Sequence, residues 1–222
     1  MHSFLIRHRG LWTERNRKSF YTGLLLLVFA LAAQVRGGWY AWQRASQAPP
    51  VRDLVLDSLP TVNADAVIVQ GAILFLLICI ALFLWHPRHL FFGVKAVALF
   101  VMVRATFLNL TTFGVHPSQA VFDDGFGSAL YNLVNFDGNF FFSGHTGMPF
   151  LMALIFWNIK QLRVLFLAIA VLFAASVLLA HVHYSIDVFA APFITYGIFR
   201  IAQWLFSSDY ALCADFSKSD IA

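Results

Sequence analysis

The chain has 222 residues, of which 60% are hydrophobic and only 12% charged, and its mean hydropathy is +0.74. A soluble domain is about half apolar and about a quarter charged, so this much apolar surface cannot be hidden inside one small globule and must face lipid. A formal charge of +4 and a pI near 9.3 would raise nucleic acid as a partner in a soluble protein. Here the basic residues stand at the ends of apolar runs, where they orient a membrane protein instead, and no nucleic-acid partner is read.

From the N-terminus, residues 1–19 are basic. The apolar stretch behind them lacks a small-residue cleavage site at the right distance, which predicts an uncleaved first span rather than a signal peptide. A helix needs roughly 20 apolar residues to cross the hydrocarbon core. Six stretches approach or reach that length: residues 20–35, 66–85, 90–110, 145–158, 164–182 and 188–206. The fourth is short by itself and becomes a full span only if Phe140, Phe141 and Phe142 begin it, so these rings are read as a helix start in the membrane. The expected fold is therefore all-α, a polytopic bundle of six transmembrane helices over residues 20–206, preceded by the basic segment 1–19 and followed by a frayed polar tail, 207–222. Two long linkers are expected, one after span three and one over residues 36–53 (RGGWYAWQRASQAPPVRD), in which Trp39, Tyr40 and Trp42 suit an interfacial belt.

Orientation follows from Lys and Arg in the short loops. Arg7, Arg9, Arg15, Arg17 and Lys18 precede the first span, Arg88 sits in the second connection with Lys95 close behind, and the fourth holds Lys160 and Arg163. Arg200 lies within snorkelling reach of the same side, and Lys95 is expected to snorkel to it too. The third connection carries Asp123, Asp124 and Asp137 with no Lys or Arg, while Arg36, Arg44 and Arg52 share the first outer loop with Asp53, Asp57 and Asp65. The alternation places both termini in the cytoplasm of an inner or plasma membrane. Cys79, in an apolar run, and Cys213, in the tail, imply no disulfide framework.

Two places carry chemistry. FFFSGHTGMPF puts Ser143, Gly144, His145 and Thr146 at the mouth of span four, and AHVHYSIDVFAAP puts His183 and Asp187 at the mouth of span six. Both mouths are expected on the extracytoplasmic side, so the two histidines lie at one depth and can meet. A helix start offers unpaired N–H groups and the positive end of the dipole, a natural anion site. Gly144 permits close approach of backbone to a phosphate, and the Ser143 and Thr146 hydroxyls can add donors. Asp187 follows His183 by one helical turn, where a carboxylate can hold one imidazole nitrogen protonated and leave the other to attack phosphorus. His145 can then protonate the departing oxygen. Arg104, inside an apolar run near its outer end, calls for an anionic partner, which a lipid phosphate supplies.

SGHT followed by HYSID resembles the C-terminal motifs of the sphingomyelin synthase branch of the type 2 phosphatidic acid phosphatase (PAP2) superfamily. His183-Tyr184-Ser185-Ile186-Asp187-Val188 is similar to that branch's H-Y-[ST]-[IV]-D-V. The stretch from Arg104 to Pro117 is loosely similar to an arginine-and-threonine motif in the third span, and Asp57-Ser58-Leu59-Pro60 to a short Pro/Asp motif before the second. The resemblance implies a six-span PAP2-like bundle, a phosphohistidine intermediate formed without metal or cofactor, and an outward-facing triad: His183 the nucleophile, Asp187 its orienting partner, His145 the acid/base. Arg104, Ser143, Gly144, Thr146, Tyr184, Asp137 and Asn139 are the candidate phosphate and head-group contacts. Where the branch commonly has Cys-Gly-Asp ahead of S-G-H-T, this sequence has Asp137-Gly138-Asn139. The basic K-x6-R-P motif of the broader phosphatases is absent, which favours the synthase-like branch.

The expected function is transfer of a phospho-head group from a glycerophospholipid to a lipid alcohol, such as ceramide or diacylglycerol, at the outer leaflet. With water as acceptor the same site is a lipid phosphate phosphatase or a phospholipase C-like hydrolase. A proton-coupled transporter would spread ionisable groups through the depth of the bilayer, whereas here they gather at one mouth, and a scaffold leaves the histidine motifs unexplained. A metal site through His181, His183 and Asp187 needs further ligands, which Asp123 and Asp124 offer only by loop folding. Taken singly, His86, His89, His116 and His181 read as interfacial residues.

Overall fold

The computed structural model describes residues 10–45, 47–110, 112–121 and 140–214. Among them every regular element is helical. The helices are α1 (Glu14–Ala45), α2 (Gly71–Trp85, entered through a π-turn at Ala66–Gln70), α3 (Pro87–Leu110), α4 (Gly144–Ile155), α5 (Lys160–Leu179), α6 (Ser185–Leu205) and α7 (Ser207–Ala214). Five of them, counting the π-turn with α2, are long and apolar enough to cross a membrane: α1, α2, α3, α5 and α6. The chain is thus an all-helical, multi-pass membrane protein.

The fourth predicted span is α4, and it falls short. Its 12 residues cover about 18 Å at ~1.5 Å per residue, against a hydrocarbon core of about 30 Å. Phe140, Phe141 and Phe142 stay outside it, contrary to the expectation that they begin a helix. The reason is local. Ser143 holds extended backbone (φ −61°, ψ 118°) and its hydroxyl accepts from the Thr146 N–H, so the helix cannot extend back through it. Most of α4 is buried among its neighbours, so it has no need of a lipid-matched length.

At the other extreme α1 runs 32 residues, about 48 Å, and absorbs the first part of the predicted linker. Thr13 caps its start by accepting from the Asn16 N–H at 3.3 Å. Gly37 and Gly38, read as linker, are buried helical residues. A Cβ at Gly37 would stand 2.6 Å from Asn109 Nδ2, so a residue without a side chain lets α1 lie against α3 there. The core is aromatic and centred on α3 and α4, with Phe92, Phe100, Phe142, Phe156 and Phe166 almost completely enclosed.

Lys95 does not snorkel. It is buried, 2.7 Å from Asp209 Oδ2, and its Nζ also donates to Ser19 Oγ at 2.9 Å, while Ser19 donates to Asp209 Oδ1 at 2.7 Å. A charge in a low-dielectric interior persists only when paired and hydrogen-bonded, and this network meets both conditions while tying α1, α3 and α7 together. The expected frayed tail is correspondingly ordered through α7, where Asp209 and Cys213 are buried and Cys213 Sγ donates to the Arg88 carbonyl at 3.4 Å. Burial, with Asp209 nearby, pushes the Cys213 thiol up to about 12, so it stays protonated. Lys95→Met strands a buried carboxylate and should cost about 3–5 kcal/mol, whereas Lys95→Met with Asp209→Leu should recover most of that loss. Thermal unfolding in detergent reads both, and a double variant as unstable as the single one would contradict the pairing.

Candidate functional site

Three segments meet at the ends of α4 and α6. The Ser143 N–H donates to the Asp187 carbonyl at 3.0 Å, which sets the first turns of the two helices side by side. Asp187 is fully buried; its Oδ2 accepts the Tyr184 N–H at 3.0 Å and lies 3.4 Å from His183 Nδ1. The helical spacing of His183 and Asp187 read from the sequence therefore becomes a contact, a long one. The His145 and His183 ring centroids are 6.3 Å apart with planes at 66°, near enough for one phosphoryl group to touch both. His145 is held by the backbone of Ile68 in the π-turn that opens α2 and by edge contact with Phe173 of α5 at 5.7 Å.

Arg104 reaches the same place from α3. It is buried, its Nε donates to the Phe142 carbonyl at 3.0 Å, and a Cβ on Gly144 would come within 3.3 Å of that nitrogen. Gly144 thus admits a cation against the start of α4. A cavity of about 220 Å³ opens here, with Arg104, Gly144, His145 and Gln34 among its polar lining and Phe75, Phe100, Met148 and Phe173 among its apolar walls. His183 does not line it.

The other sequence candidates have different employment. Ser143 Oγ accepts from both the N–H (3.4 Å) and the hydroxyl (3.3 Å) of Thr146, so the Thr146 proton turns to a cap rather than to the cavity. Tyr184 ties two connecting segments together: its hydroxyl donates to the Gly114 carbonyl at 2.8 Å and accepts from the Val51 N–H at 3.1 Å. Its burial pushes the phenol pKa up, against the lowering effect of the Val51 N–H. Asp137 and Asn139, with Asp123 and Asp124, lie outside the described residues. His181 does not join Asp187. Its Nδ1 is 2.9 Å from Thr61 Oγ1 and its ring packs edge-on to His116 at 4.8 Å, and burial, then His116, lower its pKa. Among the described residues no group of three or more His, Cys, Asp or Glu is placed to hold a metal.

Sequence reasoning missed Asp53. The carboxylate of Asp57, singled out in the short Pro/Asp stretch, makes an exposed 3.9 Å contact with Arg52, whereas Asp53 is buried and its Oδ2 accepts the Ser185 N–H at 2.6 Å. Its Oδ1 accepts from Val55 and Leu56 at 3.0 and 3.2 Å. A carboxylate at the positive end of α6 is favourable. Burial alone would raise the Asp53 pKa, but the hydrogen bonds from Ser185, Leu56 and Val55 together outweigh it and the pKa falls below its ordinary value. The signal available in the sequence was the absence of a capping side chain at Tyr184, which left the first donors of α6 needing an outside acceptor.

Residues 138–205 match the family model described as PAP2 superfamily C-terminal, a segment that holds His145, His183 and Asp187. The match supports membership of that superfamily. No curated protein and no solved structure matches the chain significantly.

Asp53→Ala should lose about 1–2 kcal/mol, as removal of a helix cap does, and Asp53→Asn somewhat less. Because the folded pKa is depressed, the charged carboxylate stabilises fully above its ordinary value of 3.8 and loses that effect as pH falls through the lower folded value. The advantage of wild type over Asp53→Asn should therefore shrink in acid. A melting-temperature gap that is unchanged by acid would contradict the assignment.

Proposed function

We propose that this chain is a membrane lipid phosphotransferase that moves a phospho-head group from a glycerophospholipid to a lipid alcohol through a phosphohistidine on His183, at the extracytoplasmic face. The PAP2 superfamily is in general phosphatase-like in its chemistry, and the match supports lipid phosphate or phosphodiester activity. The observation that carries the reading is the 6.3 Å approach of two imidazoles with a buried carboxylate beside one of them and a buried guanidinium beside the other's helix start.

The chemistry runs in two halves. Asp187 holds the Nδ1–H of His183, so Nε2 keeps its lone pair. Nε2 attacks the phosphorus of the donor, the P–N bond forms, and the bond to the diacylglycerol oxygen breaks. His145 as imidazolium gives that oxygen its proton, and diacylglycerol leaves. Arg104 offsets the negative charge that builds on the phosphoryl oxygens. In the second half neutral His145 takes the proton of the incoming hydroxyl, whose oxygen attacks phosphorus while the P–N bond breaks. Water in place of the alcohol gives hydrolysis by the same steps. The apolar walls of the cavity next to His145 and Arg104 favour the lipid alcohol, because they solvate a hydrocarbon chain and not a water file.

Purified protein supplied with head-group-labelled phospholipid should yield an acid-labile, base-stable labelled protein. His183→Ala should abolish both label and turnover. Asp187→Asn and His145→Ala should each slow turnover by about 10²–10⁴-fold, with His145→Ala the one expected to accumulate label if resolution of the intermediate depends on it. Full turnover by His183→Ala would sink the mechanism.

A further inference from the structure

Gln34 is 5% exposed in a helix that faces lipid, and its Oε1 has no hydrogen-bond partner among the described residues. A buried acceptor left unmatched costs about 1–3 kcal/mol, and Gln34 lines the same cavity as Arg104 and His145. The face of α1 that leads to it is otherwise hydrocarbon: Phe20, Leu24, Leu27 and Leu31 precede Gln34 at spacings of three and four, the repeat of one helical stripe. The first three line a second cavity of about 450 Å³ whose other walls are apolar residues of α2, α3 and α4, and Phe75, Leu76 and Met148 belong to both cavities. The two spaces therefore meet in one groove, floored by α3 and α4 and walled by α1 and α2. From Phe20 to Gln34 it measures about 21 Å at ~1.5 Å per residue, more than the ~15 Å depth of one leaflet's hydrocarbon. Leu24, Leu76, Ile80 and Leu84 along its rim are exposed, so it opens sideways to lipid.

We infer that this groove is the seat of the acceptor lipid, with one hydrocarbon chain along the stripe and Gln34 as the positioning residue that accepts a hydrogen bond from an O–H or N–H at the chain's polar end. The choice of occupant follows from donor and acceptor chemistry. The glycerol body of a diacyl phospholipid carries only ester oxygens, which accept, so it offers nothing to a carbonyl oxygen. A lipid alcohol brings a hydroxyl, and an amide-linked one brings an N–H as well. The phosphate goes to Arg104, and Gln34, being neutral, holds a neutral head without competing for it. The inference rests on the phosphotransfer reading for the word acceptor, but binding can be read without turnover.

Gln34→Met keeps the length of the side chain and removes the acceptor. Leu76→Trp fills the neck between the two cavities at a position 52% exposed, where added bulk leaves the core undisturbed. Binding is measured on detergent-solubilised protein with a brominated long-chain N-acyl amino alcohol and a brominated diacylglycerol, each quenching tryptophan fluorescence. The amide-bearing alcohol should bind about 5–10-fold more weakly to Gln34→Met, as expected for one lost hydrogen bond, with a smaller change for diacylglycerol. Leu76→Trp should weaken both in proportion to chain length. In the transfer assay Gln34→Met should raise the KM for the alcohol more than the KM for the phospholipid. Unchanged affinity of both alcohols for Gln34→Met overturns the inference, as does a KM increase confined to the phospholipid. If wild-type protein binds the alcohols with this Gln34 dependence yet transfers nothing to them, the phosphotransfer reading fails and the binding site stands.

Discussion

Asp187 is where the local and tertiary requirements of this protein coincide. Its side chain accepts the Tyr184 N–H at the start of α6 and faces His183 Nδ1, and its carbonyl takes the Ser143 N–H at the start of α4. One residue thus caps a helix, orients an imidazole and fixes the relative depth of two helix ends. Because both ends carry a histidine, the 6.3 Å approach of the rings follows from that single junction. Asp53 reinforces it from the segment between α1 and α2 through Ser185, and Tyr184 pins the loops around Val51 and Gly114 over it.

The rest of the bundle separates its polar groups by end. At one end stand His145, His183, Arg104 and the capping carboxylates; at the other, the Lys95–Asp209 pair with Ser19. Between them the packing is largely aromatic and aliphatic. Since α1 rests chiefly on α3, its leucine stripe is left to wall a groove with α2 and not to fill the core. A lipid-facing helix has little hydrophobic drive to close such a gap, because acyl chains solvate Leu as well as Leu does. An opening that would collapse in water can therefore persist in a bilayer.

The rough limits of the five long apolar helices, though not the expected total of six, were legible because lipid enforces a simple length and polarity rule. The rule weakens wherever a helix is shielded from lipid or extends beyond it. Twelve mostly buried residues make α4, where the sequence suggested a full span, and Gly37 and Gly38 continue α1, where a linker was expected. Lys95 was misplaced for a related reason: composition tells that a cation sits in an apolar run, not that Asp209, far along the chain, will fold back to meet it.

For the site, the spacing of His183 and Asp187 and the glycine beside His145 were fixed by local chain geometry, and a sequence determines local geometry directly. It likewise determined that the chain must lie in a membrane, since no fold of these residues could hide so much hydrocarbon. The identity of the acceptor at α6, Asp53 rather than Asp57, the use of the Thr146 hydroxyl as a cap contact, and the placing of Gln34 beside Arg104 were decided by tertiary structure alone. Each depends on which side chains from distant segments arrive at a common depth, and that is set by packing between helices, on which the periodicity within any one of them is silent.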